Sequence, residues 1–218
     1  MHSLTPRLSL LALALCGASA TTQATEVYGA AGLPGLMVGL AQPLNEQFTL
    51  RADLAGAGNH ARDRVEEGIS YQGSLKTGRF ALFGDWFPMG GAFRVTAGLS
   101  SNNYRLSLDA SGAGRTVQVG SGTYVLGPGD GLAMNIRFPS TTPYLGIGWG
   151  HQLGETGWRF HADVGAMIGQ AKVTATPRGA LAADAAKDDV AQETAEVRDG
   201  VGKVKALPQL SLGVGYAF

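Results

Sequence analysis

The chain has 218 residues, with 17 Lys or Arg against 17 Asp or Glu, so no net charge recruits nucleic acid or another polyanion. Its 33 glycines have no period of three, which excludes collagen, and 44% apolar residues argue against wholesale disorder. A single Cys excludes an internal disulfide and a cysteine zinc cluster.

The first twenty residues read as a signal peptide. Arg7 is the only basic residue there, and it precedes an apolar run from Leu8 to Cys16 broken by Ser9. Ala18-Ser19-Ala20 supplies the small-residue cleavage site, with cleavage after Ala24 as an alternative. The run is shorter than the ~20 residues a membrane helix needs. A lipid anchor at Cys16 is disfavoured, because Leu15 stands where such signals carry Gly, Ala or Ser. Removal of residues 1–20 takes away Arg7 and the only Cys. Residues 21–218 are expected to form one β-barrel domain.

From residue 25 the chain alternates with a period of two, which predicts strands. The predicted strands are 25–32, 36–42, 47–56, 70–87, 92–108, 143–151, 157–173 and 207–218. The first of these requires Gly32-Leu33-Pro34-Gly35 to turn very tightly. Phe48, Leu50, Ala52 and Leu54 face one way, and Thr49, Arg51 and Asp53 the other. Phe80, Leu82, Gly84 and Trp86 oppose Arg79, Ala81, Phe83 and Asp85. Val95, Ala97 and Leu99 oppose Arg94, Thr96 and Gly98. Trp158, Phe160, Ala162 and Val164 oppose Arg159, His161, Asp163 and Gly165. The parity slips near Thr77–Gly78 and near Asn102, at bulges or where a strand rises above the lipid.

A soluble sandwich also alternates, but its dry core would not tolerate charges in mid-strand. Apolar-out and polar-in strands of about ten residues are the pattern of a transmembrane barrel. Only a closed barrel lets a sheet cross lipid with its backbone groups paired. Short connections at 43–45, 88–91 and 152–156 alternate with long ones at 57–67, 109–141 and 174–206. These are expected to be periplasmic turns and extracellular loops. Trp86, Trp149, Trp158, Phe48, Phe87, Phe93, Tyr216 and Phe218 cluster beside the short turns as an inner aromatic girdle. Tyr71, Tyr104 and Tyr144 are expected to form a thinner outer one.

The chain ends Ser211-Leu212-Gly213-Val214-Gly215-Tyr216-Ala217-Phe218. Ser211, Gly213, Tyr216 and Phe218 resemble the terminal signal by which outer-membrane barrels reach the barrel-assembly machinery. With Gly84 to Pro88, Gly90 to Leu99 and Pro143 to Gly150, this segment resembles a family of small proteobacterial outer-membrane barrels. The likeness is to the OmpW and OmpA transmembrane domains and the small ornithine-uptake-type porins. It covers most of residues 21–218 in pattern and about thirty residues in sharp motifs. It implies an all-β fold: an eight-stranded antiparallel transmembrane β-barrel in the outer membrane, with outer-membrane lipid as its solvent.

Eight strands enclose a space just wide enough for side chains to fill. Arg51, Asp53, Arg79, Asp85, Arg94, Arg159, His161 and Asp163 all point into it, as do Phe83 and Met167. They are expected to form a charge network that plugs the barrel. Against this, Gly146, Gly148, Gly150, Gly165, Gly169, Gly213 and Gly215 leave one wall almost bare. Either long side chains lean across it or a slot remains.

Three function classes follow. The favoured one is a structural or surface-interaction barrel. The alternative is a narrow channel for small solutes, amino-acid-like or hydrophobic. The third is an enzyme, which needs a His with Ser or Asp near the outer rim. His161 and Asp163 share an inward face but lie lower, so no catalytic residue is assigned. No His, Asp or Glu spacing suggests a metal site, and no cofactor is expected. Gly127-Pro128-Gly129-Asp130-Gly131 reads as a turn and not as a phosphate loop. Residues 179–200 favour helix, with Ala183, Ala186, Val190, Val197, Val201 and Val204 as a thin apolar stripe.

Overall fold

The computed structural model describes residues 24–66, 69–152, 154–202 and 205–218. The expected signal peptide lies outside the described residues. The strands are β1 (Glu26–Gly32), β2 (Gly35–Asn45), β3 (Phe48–Glu66), β4 (Ile69–Trp86), β5 (Phe93–Asn102), β6 (Arg105–Ser111), β7 (Arg115–Val119), β8 (Gly122–Leu126), β9 (Gly131–Arg137), β10 (Thr141–Trp149), β11 (Gly157–Ile168), β12 (Lys172–Arg178) and β13 (Ala206–Ala217). Among the described residues one α-helix, α1 (Lys187–Gly202), precedes β13.

Eight of these strands close a ring in the order β1–β2–β3–β4–β5–β10–β11–β13, and every neighbouring pair is antiparallel. The first and last strands form the seam, from Glu26 opposite Ala217 to Gly32 opposite Ser211. The turn into β2 is as tight as expected, with Gly35 at a φ of 103° that favours glycine.

The alternation sets the solvent. Leu54, Leu99, Leu145, Phe160 and Leu212 all face outward and lie 58–80% exposed. Arg51, Asp85 and Arg94, on the opposite parity, are 0–3% exposed. A continuous apolar belt around a charged interior is unlike a soluble monomer, whose apolar patches reach a few hundred Å². It is the arrangement lipid requires. Trp86, Trp149, Trp158 and Phe218 stand exposed at the short-turn end. Trp158 meets Tyr216 edge to face at 5.4 Å.

Two girdle expectations need correction. Phe87 is fully buried and Tyr144 is 4% exposed. Both point into the lumen, because each shares parity with inward neighbours: Phe87 with Asp85, and Tyr144 with Gly146. Tyr104 packs, half-buried, against the lumen-top cluster of Ala81, Phe83, Tyr144 and Met167.

The long connections also differ from expectation, because much of their length is sheet. Residues 57–66 continue β3 instead of forming a loop. Strand 92–108 divides into β5 and β6, and strand 157–173 into β11 and β12. β4 pairs with β5 along Arg79–Trp86, then with β6 along Ser70–Lys76. From there β6, β9 and β12 extend a sheet beyond the ring. The parity slips at Thr77–Gly78 and Asn102 mark this exchange of partner, beside a register shift between Ala55 and Gly58.

The β7–β8 hairpin and α1 complete this head. Val119, Leu126, Leu181, Ala186 and Val190 form its buried core. Ala183 is exposed, unlike its place in the expected stripe, and Leu181 takes the core position instead. Asp189 ties the helix to the hairpin, accepting hydrogen bonds from Tyr124 Oη (2.5 Å) and Ser121 Oγ (2.8 Å). The Tyr124 bond, then the Ser121 bond, hold the Asp189 carboxyl below its ordinary 3.8. A depressed carboxyl contributes its stabilisation above the unfolded value and loses it as pH falls through the folded one. The helix should therefore stay docked at neutral pH and loosen only below about pH 4. Asp189→Ala should abolish that pH step and speed amide exchange in α1 and β8. Unchanged exchange would show that the apolar core alone holds the helix.

Candidate functional site

Alternation delivers a charged cluster to mid-lumen. Asp85 on β4 accepts from Arg51 of β3, at 2.5 Å from Nε and 3.1 Å from Nη2. Thr96 Oγ1 donates to the same carboxylate at 2.6 Å. Asp163 on β11 accepts from Arg94 Nη2 at 2.5 Å and Arg51 Nη2 at 3.2 Å. Arg94 also donates to the Gly150 carbonyl at 2.9 Å, and its Nε lies 3.4 Å from Asp85. A second pair sits higher, where Arg79 Nη2 reaches Asp53 at 2.9 Å and 3.1 Å. Arg79 Nη1 meets Gln209 Oε1 at 3.2 Å. Phe83 lies between the two groups, with Arg51 5.0 Å and Arg79 5.5 Å from its ring centre. Three guanidinium groups thus face three carboxylates, and their formal charges cancel. Removing such ions from water is compensated only by geometry this close.

One of the expected members is placed differently. Arg159 turns to the short-turn end, where it donates to the carbonyls of Gln152 and Glu155. His161 faces the lumen with its Nδ1 4.0 Å from Asp163 Oδ2, and its ring packs against His151 at a 36° tilt.

The bare wall is filled by side chains from the same and adjacent strands. A Cβ at Gly148 would meet the Arg94 guanidinium at 2.7 Å. At Gly146 it would meet the Tyr144 hydroxyl at 2.7 Å, at Gly213 the His161 ring, and at Gly215 the Glu26 carboxylate. The cavity left among Tyr28, Arg51, Asp53, Phe83, His161 and Ser211 holds about 20 Å³. That is room for roughly one water. Phe83, Tyr144 and Met167 close the lumen above it.

A second cluster lies at the short-turn end. Glu26 opens β1, His161 is on β11, and His151 follows β10 in the left-handed region at φ 64°. Their donor atoms lie within 4.8 Å of one another. Tyr28 packs on both imidazoles, at 4.6 Å and 5.1 Å between ring centres. Sequence reasoning assigned neither Glu26, Tyr28 nor His151 to the lumen. For Glu26 and Tyr28 the signal was present in their shared parity, within a strand only seven residues long. For His151 no alternation applies, since a turn conformation aims its side chain.

The expected assembly segment is the closing strand. Ser211 and Gly213 face the lumen, while Tyr216 and Phe218 face outward, 41% and 61% exposed. Ser211 stands opposite Asp163 in register. Among the described residues no hydrogen bond joins it to His161, whose ring nitrogens make none.

No protein-family model matches the chain, and no curated protein matches it in sequence. Among solved structures it is similar to CarO of Acinetobacter baumannii, at 20% identity and a TM-score of 0.55, over 88% of this chain and 97% of that one. The CarO2 structure of Acinetobacter baumannii matches at 17% identity and a TM-score of 0.57, over 90% and 99% of the two chains. Likeness at such identity speaks for the fold, and it agrees with the closed ring and its lipid-facing belt. In fold, the chain is an eight-stranded antiparallel β-barrel similar to these outer-membrane proteins.

Proposed function

We propose that the protein is a structural, surface-interacting barrel of the outer membrane and not a conducting one. The observation that carries this is the filled lumen. Arg51, Asp85, Arg94 and Asp163 join across it, and the cavity among Tyr28, Arg51, Asp163 and His161 holds only about 20 Å³. Passage of an amino-acid-sized solute would require those ion pairs to part in a medium of low dielectric, where unpaired charge is strongly penalised.

The working surface is then the head, which rises beyond the ring on the side opposite the short turns. Short turns face the periplasm in barrels of this kind, so the head faces the cell exterior. Barrel-assembly machinery would act on the segment from Ser211 to Phe218. Lipid would be the standing partner of the belt.

Proteoliposomes test this reading. Vesicles carrying the folded barrel should take up glycine, ornithine and a small hydrophobic solute no faster than protein-free vesicles. Uptake of any of them that scales with barrel content would make the channel the better account.

A further inference from the structure

We propose that Glu26, His151 and His161 bind a divalent transition-metal ion at the short-turn end of the lumen, with zinc as the reference ion. Three donors converge there from β1, β11 and the turn after β10. The imidazole centres are 4.2 Å apart, and Glu26 Oε1 is 3.0 Å from His151 Nδ1. The residues are 2%, 1% and 4% exposed.

Their polar atoms are otherwise idle. Both oxygens of Glu26 and all four ring nitrogens of the two histidines lack a hydrogen bond. Buried polar groups are bonded in the great majority of cases. One donor atom from each of the three residues, all within 4.8 Å of one another, therefore points to a missing cation. The neighbouring charges do not supply it. Arg51, Arg79 and Arg94 are engaged by Asp53, Asp85 and Asp163, and Arg159 sends its hydrogen bonds to turn carbonyls, so its charge reaches Glu26 only through space. A proton shared between Glu26 and His151 would leave His161 unused.

The backbone makes room for this arrangement. His151 holds a left-handed φ that favours glycine, and this conformation accompanies a fully buried side chain. Gly213 and Gly215 line β13 beneath the cluster, and a Cβ at either would collide with His161 or Glu26. Asp163 Oδ2 stands 4.0 Å from His161 Nδ1, on the side where a carboxylate orients a metal-bound imidazole.

The donor set selects the ion. Two imidazoles and one carboxylate suit zinc, copper or nickel, whereas calcium and magnesium need oxygen donors. Bonds of about 2.0–2.1 Å place tetrahedral donors about 3.4 Å apart. From their present span the donors must close by on the order of 1 Å, within reach of side-chain rotation. A fourth position remains for water beside Tyr28.

The test uses the folded barrel in detergent, stripped of metal and titrated calorimetrically with zinc chloride. One ion per chain is expected. His151→Gly, His161→Gln and Glu26→Gln should each weaken binding on the order of 100-fold, at least the loss seen when groups behind a ligand are removed. His60→Ala should leave it unchanged. Copper in place of zinc should show two coupled imidazole nitrogens by electron paramagnetic resonance, and one in either histidine variant. His151→Gly relieves the backbone, so it should keep the heat-dependent gel mobility of a folded barrel. Lack of stoichiometric zinc binding by the folded wild type overturns the proposal. So does binding that survives in the His151→Gly, His161→Gln double variant.

Discussion

Replacing Arg94 with alanine should lower the free energy of unfolding by about 3–5 kcal/mol, the usual effect of stripping one member from a buried ion pair. Arg94 has no exposed surface. Its guanidinium holds Asp163 at 2.5 Å and the Gly150 carbonyl at 2.9 Å. Without it, Arg51 alone must answer both Asp85 and Asp163. Asp85→Asn should act in the same direction, because Asp85 accepts from Arg51 and Thr96 together. Urea titration of the folded barrel, read by gel mobility, measures both. A loss under 1 kcal/mol for Arg94→Ala would mean that water enters and solvates the released carboxylates.

Gly148→Phe should also destabilise, through space rather than charge. A Cβ there would lie 2.7 Å from the Arg94 guanidinium carbon and 2.8 Å from the Ala162 carbonyl oxygen. The guanidinium can swing away only by leaving Asp163, and the carbonyl belongs to the β10–β11 ladder. Overpacking of this kind costs about 1–3 kcal/mol before any charge is displaced. Ile147→Phe is the matched control. Its side chain is 50% exposed on the lipid face one residue away, and stability should hold. Equal losses for the two would show that strand β10 tolerates neither face and that the lumen is not specially filled.

How far the sequence carried depends on what each segment faces. Arg51, Asp85, Arg94 and Asp163 were legible as inward residues because lipid on one side and charge on the other enforce strict alternation. Their pairing was not legible. Arg51 meets Asp85 because β3 and β4 register Arg51 opposite Phe83, and Arg94 meets Asp163 across Gly148, between β5 and β11. Register between strands is a property of the closed ring. Tyr144 and Phe87 sit near strand ends, where aromatics favour the girdle, but their own parity turns them inward. Residues 57–66 carry no strand signal, because they meet water on both faces and no apolar side recurs. The helix could be anticipated from Ala186 and Val190. Leu181 joined its core from a short 3₁₀ turn that carries no helical period.

Planar-bilayer recording of the purified, folded barrel tests the closed lumen most directly. The wild-type protein should insert and stay silent across the working voltage range. An Arg51→Ala, Arg94→Ala double variant that remains folded should show discrete small openings, since two of the three bridging guanidinium groups are gone. Discrete openings in the wild type, abolished by Gly148→Phe, would contradict the account and establish a conducting path along the glycine wall.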